Sequence, residues 1–148
     1  MSLRTFLLIA IILLMAGCGG TYDSYVSGLV TLDRKPLLRG TISFKPVQPG
    51  PTAYGLISDD GSFTLKTGRE SGLPSGEYVV AVVANEPSVS KEEGALPTPG
   101  KPITPLWYRS TKTSPLKITV DSGSNEIDLE LTSEAPPGYE QPKQRRRK

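Results

Sequence analysis

Histidine is absent from this 148-residue chain, cysteine and tryptophan occur once each (Cys18 and Trp107), and only one long apolar run exists. Without histidine there is no Ser-His-Asp or Cys-His catalytic arrangement, and ordinary zinc sites lose a main ligand. No catalytic residues and no cofactor or metal are therefore expected, and an enzyme is the least favoured class. A single cysteine allows no intramolecular disulfide, so stability must come from a packed core. The formal net charge is only +2, but it is unevenly spread. Residues 136–148 hold five basic side chains (Lys143, Arg145, Arg146, Arg147 and Lys148) against one acid, Glu140. The rest, leaving out Arg4, has 11 basic against 14 acidic residues, a net of −3. A mildly acidic body with a basic end does not fit a nucleic-acid-binding fold, and no nucleic-acid partner is expected.

The one long apolar run is Phe6–Ala16, preceded by Arg4 and ending in Leu14-Met15-Ala16-Gly17-Cys18-Gly19-Gly20. A charged start, an apolar stretch and small residues at its end describe a secretory signal. The run is about 11 residues, too short for a bilayer core that needs about 20. A cysteine directly after Ala-Gly resembles the lipobox of bacterial lipoproteins, with Met15 where that motif usually has Leu. The resemblance implies cleavage before Cys18, acylation of Cys18, and a membrane as partner through that anchor. More than one acyl chain is needed to hold a protein at a membrane. Gly19 in place of Asp favours the outer membrane in enteric-type sorting, so the expected location is the cell membrane or the outer membrane. Removing residues 1–17 leaves 131 residues, enough for one domain with a sizeable core.

After a short tether, residues 18–24, the chain reads as strands and turns. Tyr25–Leu32 is rich in β-branched residues, and Asp33-Arg34-Lys35-Pro36 supplies turn chemistry. In Thr41–Lys45, Ile42 and Phe44 share one face and Thr41, Ser43 and Lys45 the other, the alternation of a half-buried strand. Pro46–Pro51 breaks it. Tyr54–Ser58 and Ser62–Lys66 flank Asp59-Asp60-Gly61 as a hairpin. Glu77–Ala84 is nearly all apolar and predicts a central strand. Leu116–Val120 and Asn125–Leu131 complete seven strands, and no segment after the signal predicts a helix. The expected fold is all-β, a single seven-stranded antiparallel sandwich over residues 25–132. Residues 133–148 have little to bury and predict a disordered basic tail.

The order of these motifs resembles transthyretin-like, carboxypeptidase-regulatory-like domains. The resemblance rests on Val26–Leu32 with Lys35-Pro36, then Gly40–Phe44, Asp59–Phe63 and Leu73–Val80. Ile103–Tyr108 followed by Thr113–Leu116 is similar to small bacterial lipoproteins that carry this domain alone. It implies a prealbumin-like Greek-key sandwich and a structural or binding role rather than an activity. Hydroxyisourate hydrolases share that fold but use histidines and a C-terminal Tyr-Arg-Gly-Ser. Here Tyr108-Arg109-Ser110 lacks the glycine and has no histidine to act with.

Three groups of side chains are candidates for chemistry. Asp59 and Asp60 could hold a hard cation, but Asp-Asp-Gly between two strands is already needed for the turn. Lys45, Glu77 and Asn125 are nominal members of an isopeptide crosslink. Lys45 falls on a polar face and Asn125 in a turn, so none is expected. Residues 85–115 form a long loop without periodicity, and such loops tend to be functional or mobile. That loop carries Trp107, Tyr108 and Arg109, types typical of binding hot spots and sugar-stacking platforms. The competing expectation is that Trp107 and Tyr108 fold back as a lid on the sandwich.

The basic cluster, Lys143 and Arg145–Lys148, suits contact with anionic lipid or wall polymers. Together these features predict a lipid-anchored, non-catalytic structural or interaction module of the cell envelope. The alternatives are a glycan- or peptide-binding lipoprotein using the Trp107 loop, and an accessory subunit that lends its sheet edge to an envelope complex.

Overall fold

A computed structural model describes residues 20–88 and 100–139 of the chain. Among them run β1 (Ser24–Leu32), β2 (Lys35–Pro36), β3 (Gly40–Pro46), β4 (Ala53–Ile57), β5 (Ser62–Thr64) and β6 (Lys66–Thr67). They are followed by β7 (Glu70–Ser71), β8 (Gly76–Val83), a 3₁₀ turn at Leu106–Tyr108, β9 (Lys117–Val120), β10 (Gly123–Glu126) and β11 (Leu129–Leu131). The strands make two sheets. One is antiparallel throughout, in the order β7-β6-β4-β3-β8-β9.

The second sheet is built on β1. Along one edge β1 pairs with β10 and then β11, both parallel; it also pairs antiparallel with β5 and β2. Backbone bonds alternate accordingly. Ile127 N–H donates to Ser27 O on the C-terminal side, while Val30 N–H donates to Gly61 O and Leu65 N–H to Val26 O on the other.

Both sheets close on a single core. β1, β5 and β11 contribute Val26, Val30, Phe63, Leu129 and Leu131; β3, β8 and β9 contribute Ile42, Phe44, Tyr78, Val80, Val82 and Val120. Phe44 bridges the layers, its ring centroid 6.4 Å from that of Phe63 and 5.9 Å from that of Tyr78. Tyr78 is buried, yet its hydroxyl is satisfied by donating to Pro74 O at 2.7 Å.

The fold is all-β and mostly antiparallel, but it has two short strands beyond the seven expected, β2 in the segment expected as a turn and β7 after the hairpin, and it departs from an antiparallel sandwich in three further places. First, β1 is parallel to β10 and β11. Parallel neighbours need a long connection between them, and here nearly the whole domain lies between β1 and β10.

Second, the hairpin's return arm changes sheet. Ser62–Thr64 pairs with β1, and Lys66 pairs with Tyr54 of β4. The buried Leu65 sits at the corner between them.

Third, the segment expected as one strand over 125–131 is split at Ile127-Asp128. There the Asp128 carboxylate accepts from Leu29 N–H at 2.8 Å, in place of a backbone carbonyl.

The β1–β2 link is a two-residue loop, Asp33-Arg34, with φ of +50° and +66°. Tight hairpins of this kind favour glycine at the second position, because a side chain there is strained. Arg34→Gly is expected to stabilise the protein by about 1 kcal/mol, read as a higher thermal midpoint. Asp33 should be left in place, because its carboxylate accepts from Ser133 N–H at 2.9 Å.

Candidate functional site

The segment after β8 carries Trp107, Tyr108 and Arg109, the candidate binding surface, and its base is closed by backbone pairing. Ile103 N–H donates to Ala84 O (2.9 Å) and Glu86 N–H to Lys101 O (2.8 Å), with a bridge between Asn85 and Pro102. Gly100 is required there, since a Cβ would lie 1.8 Å from Glu86 O. Residues 89–99 lie outside the described residues.

Beyond this stem, Pro105 (φ −55°) leads into the 3₁₀ turn, which carries Trp107 and Tyr108 inward. They are 6% and 5% exposed and belong to the core cluster. The indole packs 5.9 Å from the Tyr108 ring and edge-on to Tyr139 at 5.0 Å. Tyr108 accepts from Thr132 N–H at 3.3 Å, tying the turn to the end of β11.

Arg109 completes the latch. Its Nη1 donates to Ala84 O (3.0 Å) and Thr104 Oγ1 (3.2 Å), and its Nη2 donates to Asn85 Oδ1 (3.0 Å). Buried Thr104 also accepts from Ala84 N–H at 3.1 Å. The three residues proposed from sequence as a stacking platform are thus engaged within the fold. Their rings face the core and the guanidinium is bound to the end of β8.

Residues 133–139, expected to be the start of a structureless tail, follow a defined path. Ser133 N–H is held by Asp33, Tyr139 N–H donates to Pro136 O at 3.1 Å, and the Tyr139 ring covers Trp107. Composition hid this because one aromatic residue among prolines buries little by itself. As the only tryptophan, Trp107 is a direct reporter. Its emission is expected to be blue-shifted, and Tyr139→Ala is expected to raise its quenching by acrylamide.

The other sequence candidates resolve into structural roles or lie outside the described residues. Asp60 accepts from the Ser62 hydroxyl (2.6 Å) and N–H (2.9 Å), fixing the turn, and Asp59 pairs with Arg39. Among the described residues, no group of three or more acidic, histidine or cysteine side chains could hold a metal ion. Asn125 donates to Asp121 O at 2.7 Å and accepts from Asp121 N–H, so it caps the β9–β10 turn. Lys45 is in the other sheet, on its exposed side, which leaves no crosslink geometry. Cys18, Lys143 and Arg145–Lys148 lie outside the described residues.

Two carboxylates, Asp23 and Asp33, do long-range work that local sequence did not show. Asp23 accepts from the Ser75 hydroxyl (2.7 Å) and N–H (2.9 Å), and its own carbonyl accepts from Gly123 N–H. It therefore joins the start of β1 to the β8 and β10 entries. Asp33 does the same between the β1–β2 turn and Ser133. Such partners, 52 and 100 positions away, leave no local signal.

Hydrogen bonds from Ser75 lower the Asp23 pKa, and the Ser133 N–H lowers that of Asp33. The Arg39 guanidinium lowers Asp59 and the Ser62 hydroxyl lowers Asp60. Each folded value lies below the ordinary 3.8, so each contribution is fully present above that pH and is lost as pH falls through the folded value. As far as these groups decide, denaturant midpoints are expected to hold steady from neutral pH to about 5 and then to fall progressively as pH drops through 3.8 and the lower folded values. Asp23→Asn should flatten that drop.

No family model, no curated protein and no solved structure matches this chain.

Proposed function

We propose that this protein is an exported, lipid-anchored module of the cell envelope, held at a membrane through an acylated Cys18 and acting by contact rather than by catalysis. The observation that carries the reading is the place of the only cysteine. It closes the one long apolar run, directly after Ala16-Gly17, and stands six positions before Ser24, where β1 begins. A sheet domain starting that close to its acyl chains is held against the membrane surface.

The order of turn and strand motifs supports a transthyretin-like, prealbumin-like topology for the two sheets. The basic side chains Lys143 and Arg145–Lys148 fit a salt-dependent contact with an anionic surface. A second reading, an accessory subunit that lends a sheet edge, draws on β9, which among the described residues pairs with β8 on one side only. Glycan or peptide recognition through Trp107 would require the latch of Thr104 and Arg109 to open.

Mass spectrometry of the protein from its native membrane tests the anchor. The expected N-terminus is Cys18 carrying a thioether-linked diacylglyceryl group, and Cys18→Ser should abolish both the modification and the cleavage before residue 18. A mature chain with unmodified Cys18 would overturn the reading.

A further inference from the structure

The outward face of the six-stranded sheet carries charge of almost one sign. Register sets Lys45, Val79 and Lys117 side by side across β3, β8 and β9, and Lys66 beside Tyr54 across β6 and β4. With neighbouring strands about 4.8 Å apart, Lys45 and Lys117 stand roughly 10 Å from each other. All three lysines are exposed, while the alternate residues Ile42, Phe44, Tyr78 and Val80 enter the core. Among the described residues the only ion pair is Arg39–Asp59, on exposed loops, so no carboxylate there lies within ion-pair distance of these ammonium groups. Glu77, beside Thr119 at one end, is the only acid that the described strands of this sheet turn to that side.

Apolar side chains stand in water on the same face. Leu56 is 76% and Tyr54 55% exposed, and both line an open groove with Thr41, Thr64 and Lys66. Cations set around a solvated leucine and tyrosine match a bilayer with anionic headgroups. The ammonium groups meet phosphates, and the apolar groups enter the interfacial layer. A second copy does not match, since facing sheets would bring like charges together.

We propose that this face is a docking surface for an anionic phospholipid bilayer, laying the domain flat on the membrane. The contact is separate from the acyl anchor and from the C-terminal basic cluster.

The test uses the full chain carrying Cys18→Ser and Thr41→Cys, labelled at position 41 with an environment-sensitive fluorophore. Thr41 is exposed on this face, opposite Leu56. Added to phosphatidylcholine vesicles containing phosphatidylglycerol, the label is expected to shift to the blue. About 0.5 M salt should reverse the shift, and pure phosphatidylcholine should not produce it. Replacing Lys45, Lys66 and Lys117 together by Gln should weaken the response on the order of 100-fold, at about fivefold per lysine. Leu56→Ser should weaken it at every salt concentration.

An unchanged response in the triple variant overturns the proposal. So does an equal shift on neutral vesicles, or one as large with a soluble polyanion such as heparin. Cys18→Ser removes the acyl site from every arm, so failure here leaves the anchor reading standing. An unmodified Cys18 in the native protein would overturn that reading and not this one.

Discussion

Phe44→Ala is expected to destabilise the protein by about 4 kcal/mol, within the usual range for a fully buried phenylalanine. Phe44 is 0% exposed and is the ring through which β3 meets both Phe63 of the opposite sheet and Tyr78 of its own. Truncation therefore leaves a hole between the layers that Ile42 and Val80, fixed by strand pairing, cannot fill. Domains of this size are stable by only about 5–15 kcal/mol, so the loss is a large fraction of the whole. The urea midpoint should fall sharply with an unchanged m-value, because the surface exposed on unfolding hardly changes. Phe44→Leu, which keeps most of the volume, should recover more than half of the loss. A midpoint shift worth under about 1 kcal/mol for Phe44→Ala would show that the two layers do not share one core.

Gly28→Ala is expected to cost about 3 kcal/mol or more, although glycine to alanine is usually a mild change in a strand. A methyl group at position 28 would lie 2.0 Å from Ile127 O and 2.6 Å from Ile127 C. The obstacle is backbone, so it cannot rotate away, and β1 must part from the C-terminal strands. That separation threatens the bond from Ile127 N–H to Ser27 O and the one from Leu29 N–H to Asp128. Amide exchange of Leu29 and Ile127 should accelerate well beyond that of the β3–β8 ladder. Gly50→Ala is the control. Its Cβ would meet nothing closer than 3.4 Å, and its effect should stay within about 0.5 kcal/mol.

These two positions mark the boundary of what could be read from residues alone. Phe44 was legible: it alternates with Thr41, Ser43 and Lys45, and a period of two assigns an inward face without any knowledge of the partner. Gly28 was not, since its role depends on Ile127, ninety-nine positions away. The same division separates Asp60, whose Asx turn is local, from Asp23 and Asp33, whose partners are distant. It also separates the Asp59-Asp60-Gly61 hairpin, plain in the sequence, from the corner at Leu65 where its second arm changes sheet.

The candidate site follows the same rule. Trp107, Tyr108 and Arg109 are hot-spot types in a long aperiodic loop, and composition cannot tell an outward cluster from an inward one. The tertiary structure decides it through the stem at 84–86 and 101–104, which aims the 3₁₀ turn at the core. The lysine-bearing face was half visible. Alternation put Lys45 on the polar side of its strand, but only the register across β3, β8 and β9 brings Lys117 level with it.

By itself, then, the sequence determined the all-β class, the position of most strands, the turn chemistry and the apolar run ending at Cys18. All of these depend on near neighbours and on period. Only the tertiary structure decided which strands run parallel, where the chain changes sheet, which way Trp107 points and which charges share a face. Each of those is a contact between residues far apart in the chain, and such contacts leave no trace in local pattern.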